Sequence, residues 1–345
     1  MTFAAIWKCR KHKKVYYIHL QKLLLYKFLK IWVRLAAVIF CRRIIINNPE
    51  KLKLNGPLLL ASNHPNSFLD AVILDILFKK PIWSLARGDV FKKPFYIRVL
   101  KKLKILPVYR TSEGVENLES NYTTFESCKD IFRNKGVVLM FSEGKCINEW
   151  HLRPLKKGTA RLAIGSWQDG IDVKILPVGI NYSSFRRFGK NIFLNFGNLI
   201  SKNDIDINDT DGKRNLAFNN RLQQELKQLV FEIKQKDKKL QEKILVKKPG
   251  IISTCLFFLP ALIGFILHAP LYLPVRSFAN KKVRDTDHYD SILLALLIFL
   301  YPLYLLLVTL LFCWFASSRM YLLVLPVAPF TAWAYVQLKG QLDNN

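Results

Sequence analysis

From residue 43 to about residue 200 the chain alternates short apolar runs with longer amphipathic stretches. The runs over 43–46, 57–62, 81–86, 104–109, 137–141, 173–182 and 191–196 have the length and bounding turns of strands. The stretches 68–78, 91–102, 115–134 and 157–168 carry apolar residues at helical spacing. Strands alternating with helices imply an α/β domain, with a mostly parallel sheet flanked by helices on both faces. Upstream, residues 15–41 predict a helix whose circumference is largely aromatic and aliphatic, with Lys22, Lys27, Lys30 and Arg34 gathered on one flank. That is the pattern of a helix lying in the headgroup layer of a bilayer; four cations within the apolar stretch oppose a spanning reading, and they oppose a removable signal peptide as well. Downstream, 201–212 reads as a turn-rich acidic loop, and 213–245 as one charged helix with Leu222, Leu226, Leu229, Val230 and Ile233 on a single face.

Beyond Lys248 the pattern changes abruptly. Residues 250–275 are apolar but interrupted by Pro260, Pro270 and Pro274, whereas 291–316 and 320–338 are apolar runs long enough to cross a bilayer. The chain therefore divides into an interface helix (1–42), an α/β domain (43–200), a loop and charged helix (201–249) and a membrane region (250–345).

Charge sharpens this division. The net charge is +28, and residues 1–43 carry eleven Lys and Arg with no Asp or Glu. A basic excess of this size fits a polyanionic partner, either nucleic acid or an anionic membrane surface, and the apolar C-terminal third favours the membrane. Arg276, Lys281, Lys282 and Arg284 form a basic loop between apolar segments. By the positive-inside rule it belongs on the cytoplasmic side, with the basic α/β domain. Segment 250–275 is then re-entrant or interfacial and the last two runs form a hairpin; three full spans are the alternative. The six cysteines show neither a CxxC pair nor metal-like spacing with histidine, so reduced thiols are expected, with no disulfide framework and no zinc site.

The chemistry-bearing residues fall at predicted strand ends, where open α/β sheets bind ligands. In Leu58–Leu74, LLLASNHPNSFLDAVIL, an apolar strand runs into a polar turn and then a helix, delivering His64 and Asp70 to one corner. A carboxylate that fixes the tautomer of an imidazole is the requirement for a general base, while a helix cap beside a surface histidine is the plain alternative. Arg110 follows the strand at 104–109, and Ser142-Glu143-Gly144 follows the strand at 137–141. Lys156, Lys157 and Arg161 enter the next helix. Arginine and lysine at such ends suit a phosphate. There is no GxGxxG, GxxxxGK[ST] or GxSxG, which removes the sequence support for a nucleotide cradle or a nucleophile elbow.

These residues resemble the four ordered blocks of the glycerolipid acyltransferase family. The blocks are Asn63-His64 through Asp70; Gly88, Phe91 and Ile105 to Arg110; Phe141-Ser142-Glu143-Gly144; and Ile175-Leu176-Pro177-Val178-Gly179. Two departures stand out. Five residues separate His64 from Asp70 where four are commoner, a spacing similar to fungal-type glycerol-phosphate acyltransferases, and Ser142 stands where proline is usual.

The resemblance implies a membrane O-acyltransferase whose catalytic domain, over residues 43–200, faces the cytoplasm. It implies His64 and Asp70 as catalytic residues, and Asn63, Arg110, Glu143, Gly144, Lys156, Lys157 and Arg161 as substrate-binding residues. No metal or cofactor is expected. The co-substrate is an acyl-CoA or acyl carrier protein thioester, and the acceptor is 1-acyl-glycerol 3-phosphate, with glycerol 3-phosphate or another lysolipid as the alternative. Membrane lipids are the expected partners and nucleic acid is not. The contrasting class is a membrane-tethered protein that binds anionic lipid or nucleic acid without chemistry.

Overall fold

Every residue from Leu58 to Ser62 is buried, as expected of a strand covered on both faces. The computed structural model describes residues 24–109, 118–206, 209–315 and 319–343. Its seven strands are β1 (Cys41–Ile46), β2 (Leu58–Ser62), β3 (Ile82–Arg87), β4 (Ile105–Val108), β5 (Val137–Phe141), β6 (Lys174–Tyr182) and β7 (Lys190–Phe196). They form one sheet in the order β1-β7-β6-β2-β5-β3-β4. Only β6 and β7 pair antiparallel; every other neighbouring pair is parallel. Side-chain alternation along β2 divides the core. Leu58 and Leu60 pack with the helix α1 (24–40) and with α2 (Phe68–Leu77). Leu59 and Ala61 pack with α4 (Leu118–Arg133), α5 (Lys157–Gln168) and α6 (Asp211–Leu229). The expected α/β architecture is therefore present, with helices on both faces of a mostly parallel sheet.

Two helices begin or end where the hydrophobic pattern did not indicate. Residues 91–102 form a short 3-10 turn, Gly88–Phe91, and then α3 (Pro94–Lys102). Lys93 is extended ahead of Pro94, as the proline ring requires of the residue before it. The single helix expected over 213–245 is two, α6 and α7 (Lys238–Leu245). The break is made by competing hydrogen bonds. Asn181 and Asn195 both donate to the Leu229 carbonyl, Phe231 N–H donates to Asn181, and Ile233 forms an antiparallel bridge with Trp150.

The apolar C-terminal third forms α8 (Ile251–Val283), α9 (Tyr289–Phe315) and α10 (Val324–Leu338). Three helices here are long and apolar enough to cross a membrane. The segment expected over 250–275 is thus part of a helix that continues through all three prolines to Val283, a tolerance common where an apolar environment penalises broken backbone. At Gly264 a Cβ would sit 2.1 Å from the Thr331 carbonyl oxygen, so α8 and α10 can approach this closely only at glycine.

Candidate active site

The turn between β2 and α2 is bound on all sides. Ser62 Oγ donates to the Val178 carbonyl at 2.9 Å. Asn63 pairs with Ile180 in both directions, accepting its N–H at 2.8 Å and donating to its carbonyl at 2.9 Å. The Asn63 amide therefore fastens the turn to β6. The next residue, His64, emerges at the carboxyl end of the strand. Its Nδ1 stands 2.8 Å from Asp70 Oδ2 in the first turn of α2. Against a carboxylate Nδ1 must carry the proton, which leaves Nε2 as the basic atom. Asp70 is fully buried and receives two further donors: Asn66 N–H on Oδ2 at 2.8 Å and the Tyr182 hydroxyl on Oδ1 at 2.7 Å. Three donors and the helix N-terminus compensate a carboxylate removed from water. The imidazole lies flat on the Phe141 ring, with centroids 3.7 Å apart and planes within 10°, so its orientation is fixed from two directions.

Glu143 approaches the same residue from β5. Its Oε2 accepts the His64 backbone N–H at 2.9 Å, and its Oε1 accepts the Arg153 N–H at 3.0 Å. Burial raises its carboxyl above the ordinary carboxylate range, against the two N–H bonds that favour the ionised form. Glu143 thus acts on the backbone of the site. Ser142, in the position of the usual proline, is bound into the turn: its N–H donates to the Ser62 carbonyl at 2.8 Å, and its hydroxyl accepts from Thr159 at 3.0 Å. Gly144 adopts φ +67°, the left-handed region. Nearby, Cys146 Sγ accepts the Ser67 N–H at 2.9 Å, and burial, reinforced by the Asp70 charge, raises its thiol well above the normal value; it is a structural acceptor, not a nucleophile.

His64, Glu143 and Gly144 open on a cleft of about 2050 Å³. Lys156, Lys157 and Arg161 are among the residues that line it. Phe68, Ala71 and Val72 of α2, Leu29 and Val33 of α1, and Leu294, Ala295 and Ile298 of α9 add apolar lining. Arg110 and Lys22 lie outside the described residues; Tyr109, which immediately precedes Arg110, lines the cleft. Sequence reasoning missed Tyr182, Phe141 as a stacking partner, and the contribution of α9. Tyr182 carried a signal, since it closes the strand of the fourth block. The others depend on contacts between distant segments.

A histidine held by a buried carboxylate at the carboxyl edge of an α/β sheet, beside a cleft both cationic and apolar, has the geometry that general-base chemistry requires. Residues 43–181 match the family described as Acyltransferase. That segment holds the four blocks by which the chain resembles glycerolipid acyltransferases. Among solved structures, the 1-acyl-sn-glycerophosphate (LPA) acyltransferase PlsC from Thermotoga maritima is similar over 61% of this chain and 80% of its own, at 14% identity and a TM-score of 0.41. No curated protein matches the chain by sequence.

Proposed function

We propose that this acyltransferase moves a fatty acyl group from a thioester to the hydroxyl of a lysophospholipid phosphate, with 1-acyl-glycerol 3-phosphate as the acceptor. The observation that carries the reading is the His64–Asp70 pair at 2.8 Å, opening on a cleft lined by cations, Lys156, Lys157 and Arg161 among them, and by apolar residues of α1, α2 and α9. His64 Nε2 takes the acceptor's hydroxyl proton as that oxygen attacks the thioester carbonyl. The new C–O bond forms, the C–S bond breaks, and the imidazolium returns the proton to the departing thiolate. Asp70 holds the tautomer and stabilises the imidazolium. A base so placed contributes on the order of 10²–10⁴-fold. Lys156, Lys157, Arg161 and Arg110 are assigned to the phosphates of acceptor and donor.

Membrane attachment fits this substrate. Along α1, Leu24, Leu25, Phe28, Ile31, Leu35 and Val38 are exposed, while the Tyr26 hydroxyl donates to Asp75 and Lys30 donates to the Phe78 carbonyl. A helix pinned on its polar side, with its apolar side outward, supports interfacial placement. Both ends of α8 are tied to the α/β domain, Leu245 before it by Asn191 and Asp287 after it by Asn148. These ties support a cytoplasmic position for the two flanking segments, while α8 itself packs on α9 and α10, with Gly264 against Thr331 and His268 Nε2 facing the Tyr301 hydroxyl.

The test is acyl transfer by the purified protein in detergent, with acyl-CoA or acyl carrier protein thioester and a panel of acceptors. Transfer to 1-acyl-glycerol 3-phosphate is expected. Transfer to glycerol 3-phosphate alone would move the enzyme to the preceding acylation. Salt-sensitive lipid binding without turnover would indicate the tether.

A further inference from the structure

We infer that the α8–α9 junction, residues 287–291, is a positioning element for the catalytic turn, so that His64 is aligned only when the membrane hairpin is seated on the α/β domain. The inference rests on the acyl-transfer reading above.

The catalytic turn does not hold itself. Ser67 adopts φ +51° and ψ −135°, a conformation costly for a residue with a Cβ and retained only where its surroundings impose it. The imposing contacts come largely from 220 residues further along the chain. The Ser67 hydroxyl meets His288 Nδ1 at 2.7 Å. Asn66 Nδ2 donates to Asp290 Oδ2 at 2.7 Å, and Lys190 of β7 forms an ion pair with that same oxygen. Ser291 Oγ accepts the Leu69 N–H at 3.2 Å and contacts the Asn66 carbonyl at 3.4 Å. Asp287 reaches the turn through Asn148, which donates its backbone N–H to Asp287 at 2.9 Å and its amide to the Pro65 carbonyl at 2.7 Å.

Asn66 links this set to the chemistry. Its side chain goes to Asp290, while its backbone N–H goes to Asp70 Oδ2, the oxygen that orients His64. Displacing Asp290 therefore moves a donor on the catalytic carboxylate. Lys190 and Asp290 are both fully buried, an arrangement more suited to fixing one geometry than to adding stability. Asp290 opens an otherwise apolar helix, so the same helix that enters the bilayer also supplies the wall behind the catalytic turn.

The test uses the full-length protein in detergent, with three variants: His288→Ala, Ser291→Ala, and the double replacement Lys190→Met with Asp290→Leu. The double variant removes the buried charges together and leaves neither unpaired. In each, kcat per folded protein should fall about 10- to 100-fold, as misplacement of a positioned base does. KM for the acyl thioester should stay within about twofold of wild type, because the donor's binding contacts remain. The unfolding midpoint of His288→Ala, whose bond is solvent-exposed, should be unchanged, whereas that of Ser291→Ala should fall, because the buried Leu69 N–H loses its acceptor. Wild-type kcat in the folded variants, or losses that only follow the amount of folded protein, would overturn the inference. His64→Ala, measured in parallel, separates the two claims. If it is inactive while the three variants are not, only the positioning role fails; if it retains turnover, the acyl-transfer reading falls and takes this inference with it.

Discussion

The hydroxyl of Tyr182, the last residue of β6, donates to Asp70 Oδ1 at 2.7 Å. The strand that carries the fourth block thus ends on the carboxylate that orients His64. Both residues are fully buried, so this hydrogen bond to a charged group has no water to replace it. Tyr182→Phe should lower stability by about 1.5–3 kcal/mol. It should also lower kcat more than it raises KM, measured by chemical denaturation and steady-state kinetics on one preparation.

Glu143 gives a pH signature. Its folded-state pKa is raised by burial, so its contribution to stability is present at low pH and is lost as pH rises from the ordinary carboxylate range through the raised value. Glu143→Gln lacks that slope. The unfolding midpoint of the Gln variant relative to wild type should therefore rise as pH climbs above the ordinary carboxylate range. Its turnover should fall throughout, because an amide cannot accept both the His64 and the Arg153 N–H bonds.

Gly144 has a conformational role. A side chain at φ +67° costs about 1–2 kcal/mol, and a Cβ there would lie 3.1 Å from Lys156 Cγ. Gly144→Ala should be destabilised by that amount in thermal unfolding and should weaken acceptor binding through the displaced lysine.

Lys157 and Arg161 are exposed at the rim of the cleft. Neutralising either should raise KM for the phosphate-bearing substrate a few-fold with little change in kcat, and the effect should shrink as salt is added. Rate measurements across ionic strength check this directly.

The sheet was readable in the sequence because its central strands are continuous apolar runs and its turns are marked by polar clusters. His64, Asp70 and Glu143 were readable for a local reason: each follows a strand and lies in a short block. Ser67 and Asp290 were not, and Tyr182 was marked only as the close of the fourth block's strand. Their roles arise from contacts across 221, 224 and 112 residues, and separation on that scale leaves no periodic trace. The break between α6 and α7 was hidden likewise, because Asn181 and Asn195 on the sheet claim the Leu229 carbonyl. In α8 the prolines pointed to interruption, whereas the helix continues through them.

The central claim is that His64, oriented by Asp70, is the base for acyl transfer from a thioester. The most direct measurement is release of free thiol from acyl-CoA in the presence of 1-acyl-glycerol 3-phosphate, comparing wild type, His64→Ala and Asp70→Asn at matched folded concentration. The expected result is a fall in kcat of about 10²–10⁴-fold in both variants, with product formation lost in step. Acyl transfer at the wild-type rate in His64→Ala would contradict it.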